Sequence, residues 1–374
     1  MFRPALLTSA LILAAGSAVA QDLPVRDCRA DTDVSLPMVA TGHDAIVAHA
    51  TDDLVGPSIF ERHARTEGGE SFDIATRRFE SYAAQLPAYL ACDIPFMRVT
   101  HAQMSLLADR TEGQEATQMV PVFFYGWSNG ADAVVARGAD SLNALSGSAI
   151  VSDAARLDLA LQLARDAGTF PEITVSVDPG AAFAGDPGLG FAVVPSPEAA
   201  VLTAGDVGTG AEGSVEGARE VLTTTSANRV IGDLLVVRQD WAEANPERLR
   251  GIVRALLKAE ELFREDAKKQ VVDFARAADM VLGDAALETR MRDLWAGVET
   301  VGLNGQVTWA DPTAPRSFRA VVNAGQTAMV EAGLLEAAVA LNGPEIDFAS
   351  LGDDIWDKRR VEASGFDQDA ATAA

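Results

Sequence analysis

Cysteine, histidine, positive charge and long apolar runs are all scarce in this chain, and each scarcity removes a class of protein. The two cysteines, Cys28 and Cys92, are too few for a disulfide-built scaffold or a cysteine zinc site. Neither has a partner that would suit thiol catalysis. In an exported chain they could pair as one structural bridge, tying the N-terminal tail to the first domain. Lysine and arginine together number 30 against 54 aspartates and glutamates, a formal net charge of -24. That charge repels nucleic acid and anionic membrane surfaces. It is spread along the chain, so it reads as a solubilising surface and does not by itself argue for a cationic ligand. Arginine outnumbers lysine, a matter of composition without mechanistic weight.

Apolar runs long enough to span a bilayer, about 20 residues, are missing. The run at 6–15 follows Met1-Phe2-Arg3 and is followed by Ala18-Val19-Ala20 before Gln21. A positive start, a short apolar centre and a small-x-small exit describe a secretory signal peptide. Residues 1–20 are expected to be removed after Ala20, and no cysteine follows the cleavage point to carry a lipid. Enzyme signatures are missing as well. There is no Gly-x-Ser-x-Gly elbow and no phosphate loop, and "GDPGLG" and "GTGAEG" lack the strand-then-helix setting that phosphate binding needs. A triad of His101, Asp44 and Ser128 is not demanded by any spacing. His43, His49, His63 and His101 are the four histidines, and His43 and His49 do not share a helical face in the i, i+4 manner. No catalytic residue, metal or cofactor is assigned.

What is present is an alternation of strands and helices, which points to an α/β architecture of two domains or lobes. "DVSLPMVATG" alternates as a half-buried strand, and "HDAIVAHATDDLVGPSIFERHA" is helical with breaks at Gly56 and Pro57. "FDIATRRFESYAAQLPAYLA" starts as a strand and continues as a helix holding Tyr82, Leu86 and Leu90. "DIPFMRVT" is a strand followed by the helix "AQMSLLADR". Strands "AIV", "EITVSVD", "GFAVVP" and "DLLVV" follow, and "GTGAEGSVEGA" is a glycine-rich surface loop. Before the long helix, Asn245 can cap and Pro246 suits the first turn. Leu249, Ile252, Val253, Leu256, Leu257 and Phe263 then form a packing stripe.

The stretch "FFYGWSNGADAVVARG" (123–138) reads as strand, break, strand. Its break carries Trp127, Ser128, Asn129, Gly130 and Asp132, the first four supplying an aromatic wall, a hydroxyl, an amide and a close-approach glycine. Taken alone, Ser-Asn-Gly is also a good turn and Trp127 a good core residue. The ends of other strands add His43 and Asp44, Thr100 and His101, Ser152 and Asp153, and Ser196 and Glu198. Ser152 and Asp153 read as helix caps, and Glu198 as solvated. By strand alternation Arg98 shares a face with Thr100.

The order of segments resembles the periplasmic substrate-binding proteins of ABC importers, in the group related to nitrate, taurine and alkanesulfonate binders. The resemblance rests on "YGWSNGADAVVARGADSLNALSGSAIVSD", "GFAVVPSPEAAVL" and "IGDLLVVRQDWAEANPERLRGIVRALLKA", and covers roughly 34–266. Two departures stand out. The Asp-Leu-x-Gly-Lys turn reads Ala144-Leu145-Ser146-Gly147-Ser148, and "PGAAFAGDPGLG" holds too many breakers for a full helix, so the second lobe could be abbreviated.

The resemblance implies a two-lobe, type II periplasmic-binding-protein fold with a ligand cleft between the lobes. Lobe 1 would be built from 30–136 and 230–345 and lobe 2 from 137–229, with 346–374 a partly disordered C-terminal extension. It implies a monomeric periplasmic receptor that takes a small molecule and passes it to a membrane ABC permease, without enzymatic activity. The expected ligand contacts are Trp127, Ser128, Asn129, Gly130, His43, Asp44, Thr100, His101 and Ser196. The competing readings are an exported hydrolase or lyase on a similar two-lobe scaffold, and a ligand-sensing partner of a membrane receptor.

Overall fold

The computed structural model describes Cys28 and residues 33–352, apart from positions 55, 67, 112, 113, 115, 116, 146, 147 and 169. Residues 1–20, where a signal peptide is expected, and the residues beyond 352 lie outside the described residues. Eleven strands are found among those described: β1 (Ser35–Met38), β2 (Ala75–Arg78), β3 (Phe96–Thr100), β4 (Met119–Ser128), β5 (Asp132–Arg137), β6 (Ala149–Ser152), β7 (Ile173–Val175), β8 (Leu189–Pro195), β9 (Ala218–Thr223), β10 (Gly232–Arg238) and β11 (Val298–Thr300).

They form two bodies. In the first, β11, β4, β10 and β3 make an antiparallel sheet in that order. The parallel pair β1–β2 lies beside it. The free edge of β3 is closed by the Gln85 side chain, which accepts from Arg98 N at 2.8 Å and donates to Arg98 O at 2.5 Å. The amide thus imitates a neighbouring strand, as a buried peptide group requires. In the second body the order is β7-β6-β8-β5-β9. Here β6 runs parallel to β7 and β8, while β5 runs antiparallel to β8 and β9.

The long helix Pro246–Lys269 covers the first sheet, burying Leu249, Ile252, Val253, Leu256, Leu257 and Phe263. Pro246 opens it as expected, but Asn245 spends its side-chain amide on Trp241 O (3.0 Å) and not on a cap. "PGAAFAG" does form a helix, Pro179–Gly185, of seven residues capped by Asp178. Phe348 and Leu351, beyond the point where the C-terminal extension was expected to start, are buried in the core of the first body. Cys28 and Cys92 are joined by a disulfide.

The chain passes from the first sheet to the second through 129–131 and returns through 224–231. β5 lies wholly in the second sheet, so the outward passage comes before the boundary expected after residue 136. The expected break at Trp127 also shifts. β4 continues through Ser128 because β11 pairs with Gly126, Trp127 and Ser128. Gly126 is needed there: its φ is 141°, and a Cβ would stand 1.9 Å from Glu299 O.

Candidate functional site

Between the two sheets lies a cleft of about 550 Å³, walled by both bodies. Its floor on the first body starts from one buried guanidinium. Arg98, on β3, binds Asp44 through Nη1 (2.6 Å) and Asp233 through Nε (2.9 Å) and Nη2. Its Cζ stands 3.9 Å from the Tyr125 ring centroid. Asp44 also accepts from the backbone N–H groups of Val39 (2.8 Å) and Thr41 (2.9 Å), holding the turn after β1. Asp233, at the start of β10, reaches His43 Nδ1 at 3.0 Å.

Burial works against the charge on Arg98, but Asp233 and Asp44 outweigh it and hold the guanidinium well above its ordinary pKa. Burial lifts the Asp44 carboxyl despite Arg98. For Asp233, burial is overcome by Arg98 and His43, so its pKa falls.

The facing wall, on the second body, has its own charged group. Arg156 Nε contacts Asp132 Oδ1 at 2.5 Å and Nη1 contacts Asp153. Burial is again outweighed, here by Asp153 and Asp132, and the Arg156 pKa rises. Tyr82 stands between the walls. Burial raises its phenol pKa well above the ordinary value, helped by carboxylates from both bodies, Asp233, Asp44 and Asp132.

The crossover is stitched by one buried hydroxyl. Thr224 Oγ1 lies 2.8 Å from Ser128 Oγ and accepts from Gly130 N at 2.8 Å and Asp132 N at 3.3 Å. Outward and return passages are thereby fixed to each other where the sheets meet. Nearby, Asp158 of the second body accepts from Ala102 N (3.1 Å) at the start of the first-body helix His101–Arg110. Burial pushes the Asp158 carboxyl up to about 7.

Of the residues expected at the ligand, His43, Thr100 and Ser128 line the cleft. The other six are not on its wall. Asp44 sits behind it, spent on Arg98 and the β1 turn. Trp127 is a core residue, 5.9 Å from the His101 ring in a stacked arrangement and edge-on to Phe124 at 4.8 Å. His101 is buried with it, its pKa pulled down to about 3 by burial, and Trp309 Nε1 lies 3.5 Å from its Nε2. Asn129 donates its backbone N–H to Gly297 O at 2.8 Å. Ser196 Oγ donates to Gly130 O at 2.7 Å. These last residues hold the crossover.

Tyr82, Asp132, Arg156 and Asp233 line the cleft and were not among the expected ligand contacts. Asp132 had the strongest signal, standing at the start of a strand just past the break. Tyr82 lies in a turn, not in the helix expected there.

Neither a family model nor a curated protein matches the chain in sequence. Solved structures do match in shape. A putative sulfonate ABC transporter's periplasmic sulfonate-binding protein SsuA, from Methylobacillus flagellatus, aligns with a TM-score of 0.55 at 15% identity, over 87% of this chain and 94% of that one. The zinc-bound ligand-binding component of an ABC-type import system from Staphylococcus aureus aligns at 0.53 and 11% identity, over 85% and 97%. A Candida albicans protein described as having the generic periplasmic binding protein fold aligns at 0.50 and 11% identity, over 84% and 98%. The chain has the periplasmic-binding-protein fold: two α/β bodies, two crossovers and a cleft between them.

Proposed function

We propose that this chain is an exported solute-binding receptor that closes around a small molecule and delivers it to an ABC-type permease. The observation that carries the reading is the cleft walled by both bodies, with the two crossover passages meeting at Thr224. A guest touching both walls favours the closed arrangement by its differential affinity, and the crossover serves as the hinge. Arg98 with its two aspartates gives one wall a rigid polar floor, and Arg156 with its two gives the other. The fold shared with import-system binding components supports the same reading. The receptor acts as a periplasmic monomer and carries out no chemistry on its guest.

Small-angle scattering of the purified protein, with and without members of a polar-solute library, tests this. A bound solute should reduce the radius of gyration and raise the melting temperature together, with the compound recovered unchanged. Conversion of the compound would transfer the chain to the hydrolase or lyase class. Failure of every library member to contract the protein would count against the receptor reading.

A further inference from the structure

The chemistry of the guest can be narrowed from the charges that face the cleft, on the footing that the cleft is the receptor site proposed above. Six carboxylates line it: Glu80, Asp132, Asp153, Asp178, Glu198 and Asp233. Three arginines oppose them, Arg110, Arg156 and Arg290. Arg156 is already held between Asp132 and Asp153. Arg290 is exposed, and Arg110 sits in the last turn of its helix, remote from the Thr100 end. Arg98, behind the wall, is covered by Asp44 and Asp233. The carboxylates of the lining outnumber its arginines six to three, so the cleft is net negative and disfavours an anion.

Acceptors are in surplus there. His43 Nε2 is buried on the same wall without a hydrogen-bond partner. On the facing wall the Glu198 carboxyl is half-buried beside Asp178, and burial first, then Asp178, raise its pKa. The lining also holds apolar side chains, among them Leu86, Leu106, Leu107 and Val177, together with the Tyr82 ring and the Thr100, Gln103 and Ser128 side chains.

Among the described residues no three metal-ligating side chains are grouped to hold an ion. The negative charge is instead spread over both walls, with apolar surface between, as an extended organic cation requires. We propose that the cleft takes a small protonated amine with an apolar body, its ammonium group held by Asp178 and Glu198, the neighbouring carboxylates of the second-body wall that are not bridged to an arginine, and its body against Tyr82 and Leu86 on the facing wall. This departs from the sulfonate named for the Methylobacillus protein of the same fold. A ring face and a carboxylate cluster are the two features that recognise such a cation in a partly desolvated site.

Isothermal titration of the full mature chain with charge-reversed pairs tests the proposal. Phenethylamine and 3-phenylpropylamine are compared with 2-phenylethanesulfonate and 3-phenylpropanesulfonate, and scattering is recorded for each. The amines should bind, contract the protein and lose affinity as salt rises, while the sulfonates bind at least roughly tenfold more weakly. Glu198→Gln should weaken the amines by roughly fivefold or more. Asp132→Asn combined with Asp153→Asn releases Arg156 and should swing the preference toward the sulfonates. Contraction with a sulfonate but not with its amine would overturn the amine while leaving the receptor reading intact. Contraction with none of the four would overturn the amine, and extension of that failure to the whole solute library would remove the receptor as well. An unchanged charge preference in both Glu198→Gln and the double variant would also overturn it.

Discussion

Arg98 is fully buried and holds two carboxylates that would otherwise face each other across the floor of the cleft. A buried ion cluster contributes little net stability when whole, but removing the central charge leaves its partners uncompensated. Arg98→Met should therefore destabilise the fold by about 3–5 kcal/mol, read from urea unfolding. Adding Asp233→Asn and Asp44→Asn to that variant should recover much of the loss, because no charge is then stranded. A loss below about 1 kcal/mol in the single variant would show that water reaches the cluster. The sequence made part of this cluster visible. Asp44 and His43 stood out because they follow a strand, and alternation put Arg98 on the face of Thr100. What stayed hidden was the partner: Asp233 is remote in sequence and joins only when β10 inserts between β3 and β4. Without it Asp44 read as a free ligand group, when its oxygens are already occupied by Arg98 and two backbone N–H groups.

At the scale of elements, the crossover explains why an indole, a hydroxyl and an amide interrupt an apolar run. Trp127 and Ser128 end β4, Asn129 and Gly130 make the passage, and Asp132 begins β5. Groups that looked like ligand contacts are used in the fold here: the Trp127 ring packs on His101 and Phe124, Ser128 Oγ meets Thr224 Oγ1, the Asn129 N–H donates to Gly297 O, and Ser196 Oγ donates to Gly130 O, a buried peptide group without a partner being costly. Local sequence cannot separate these uses, since both ask for small polar residues beside a stiff strand. The strands themselves were readable because their apolar runs are short and bounded by breakers. β9 (Ala218–Thr223) was not, because its burial pattern is mostly open and its residues Arg219 and Glu220 are exposed. Thr224→Val keeps the shape of the crossover hub and deletes its oxygen. It leaves Gly130 N–H and the Ser128 hydroxyl without that partner and should cost about 1–3 kcal/mol in stability. If the passages are the hinge, the same change should also alter guest affinity, although Thr224 is not among the residues lining the cleft. Unchanged melting would mean that water substitutes for the hydroxyl.

Over the whole molecule, the buried titratable groups set a pH dependence whose sign can be worked out. Burial raises Asp158 from 3.8 to about 7 and Glu260 from 4.5 to about 7. Each is protonated in the folded chain at pH values where the unfolded chain has lost its proton. The stability associated with each is therefore whole below the unfolded pKa and lost as pH rises toward 7. His101 acts oppositely: burial lowers it from 6.5 to about 3, so stability is whole above 6.5 and lost as pH falls below it. Between 4.5 and 6.5 the folded state thus holds two extra protons on the acids and lacks one on the imidazole. The net is one proton, and stability should fall by about 1.4 kcal/mol per pH unit as pH rises. From 6.5 to about 7 both acids act unopposed and the fall steepens. Asp44 is raised and adds to the same trend, while Asp233 is lowered and matters in the acid range near and below its ordinary 3.8. The net charge of -24 works in the same direction, since acidification relieves self-repulsion. The protein should therefore melt at a higher temperature at pH 5 than at pH 8, with a difference on the order of 2–3 kcal/mol in unfolding free energy. Asp158→Asn with Glu260→Gln should flatten that slope and leave the acid-side loss from His101 in place. A melting temperature that climbs from pH 5 to pH 8 in the unaltered chain would mean that both acids are ionised in the fold, and that the Asp158 contact between the two bodies is an ordinary carboxylate cap.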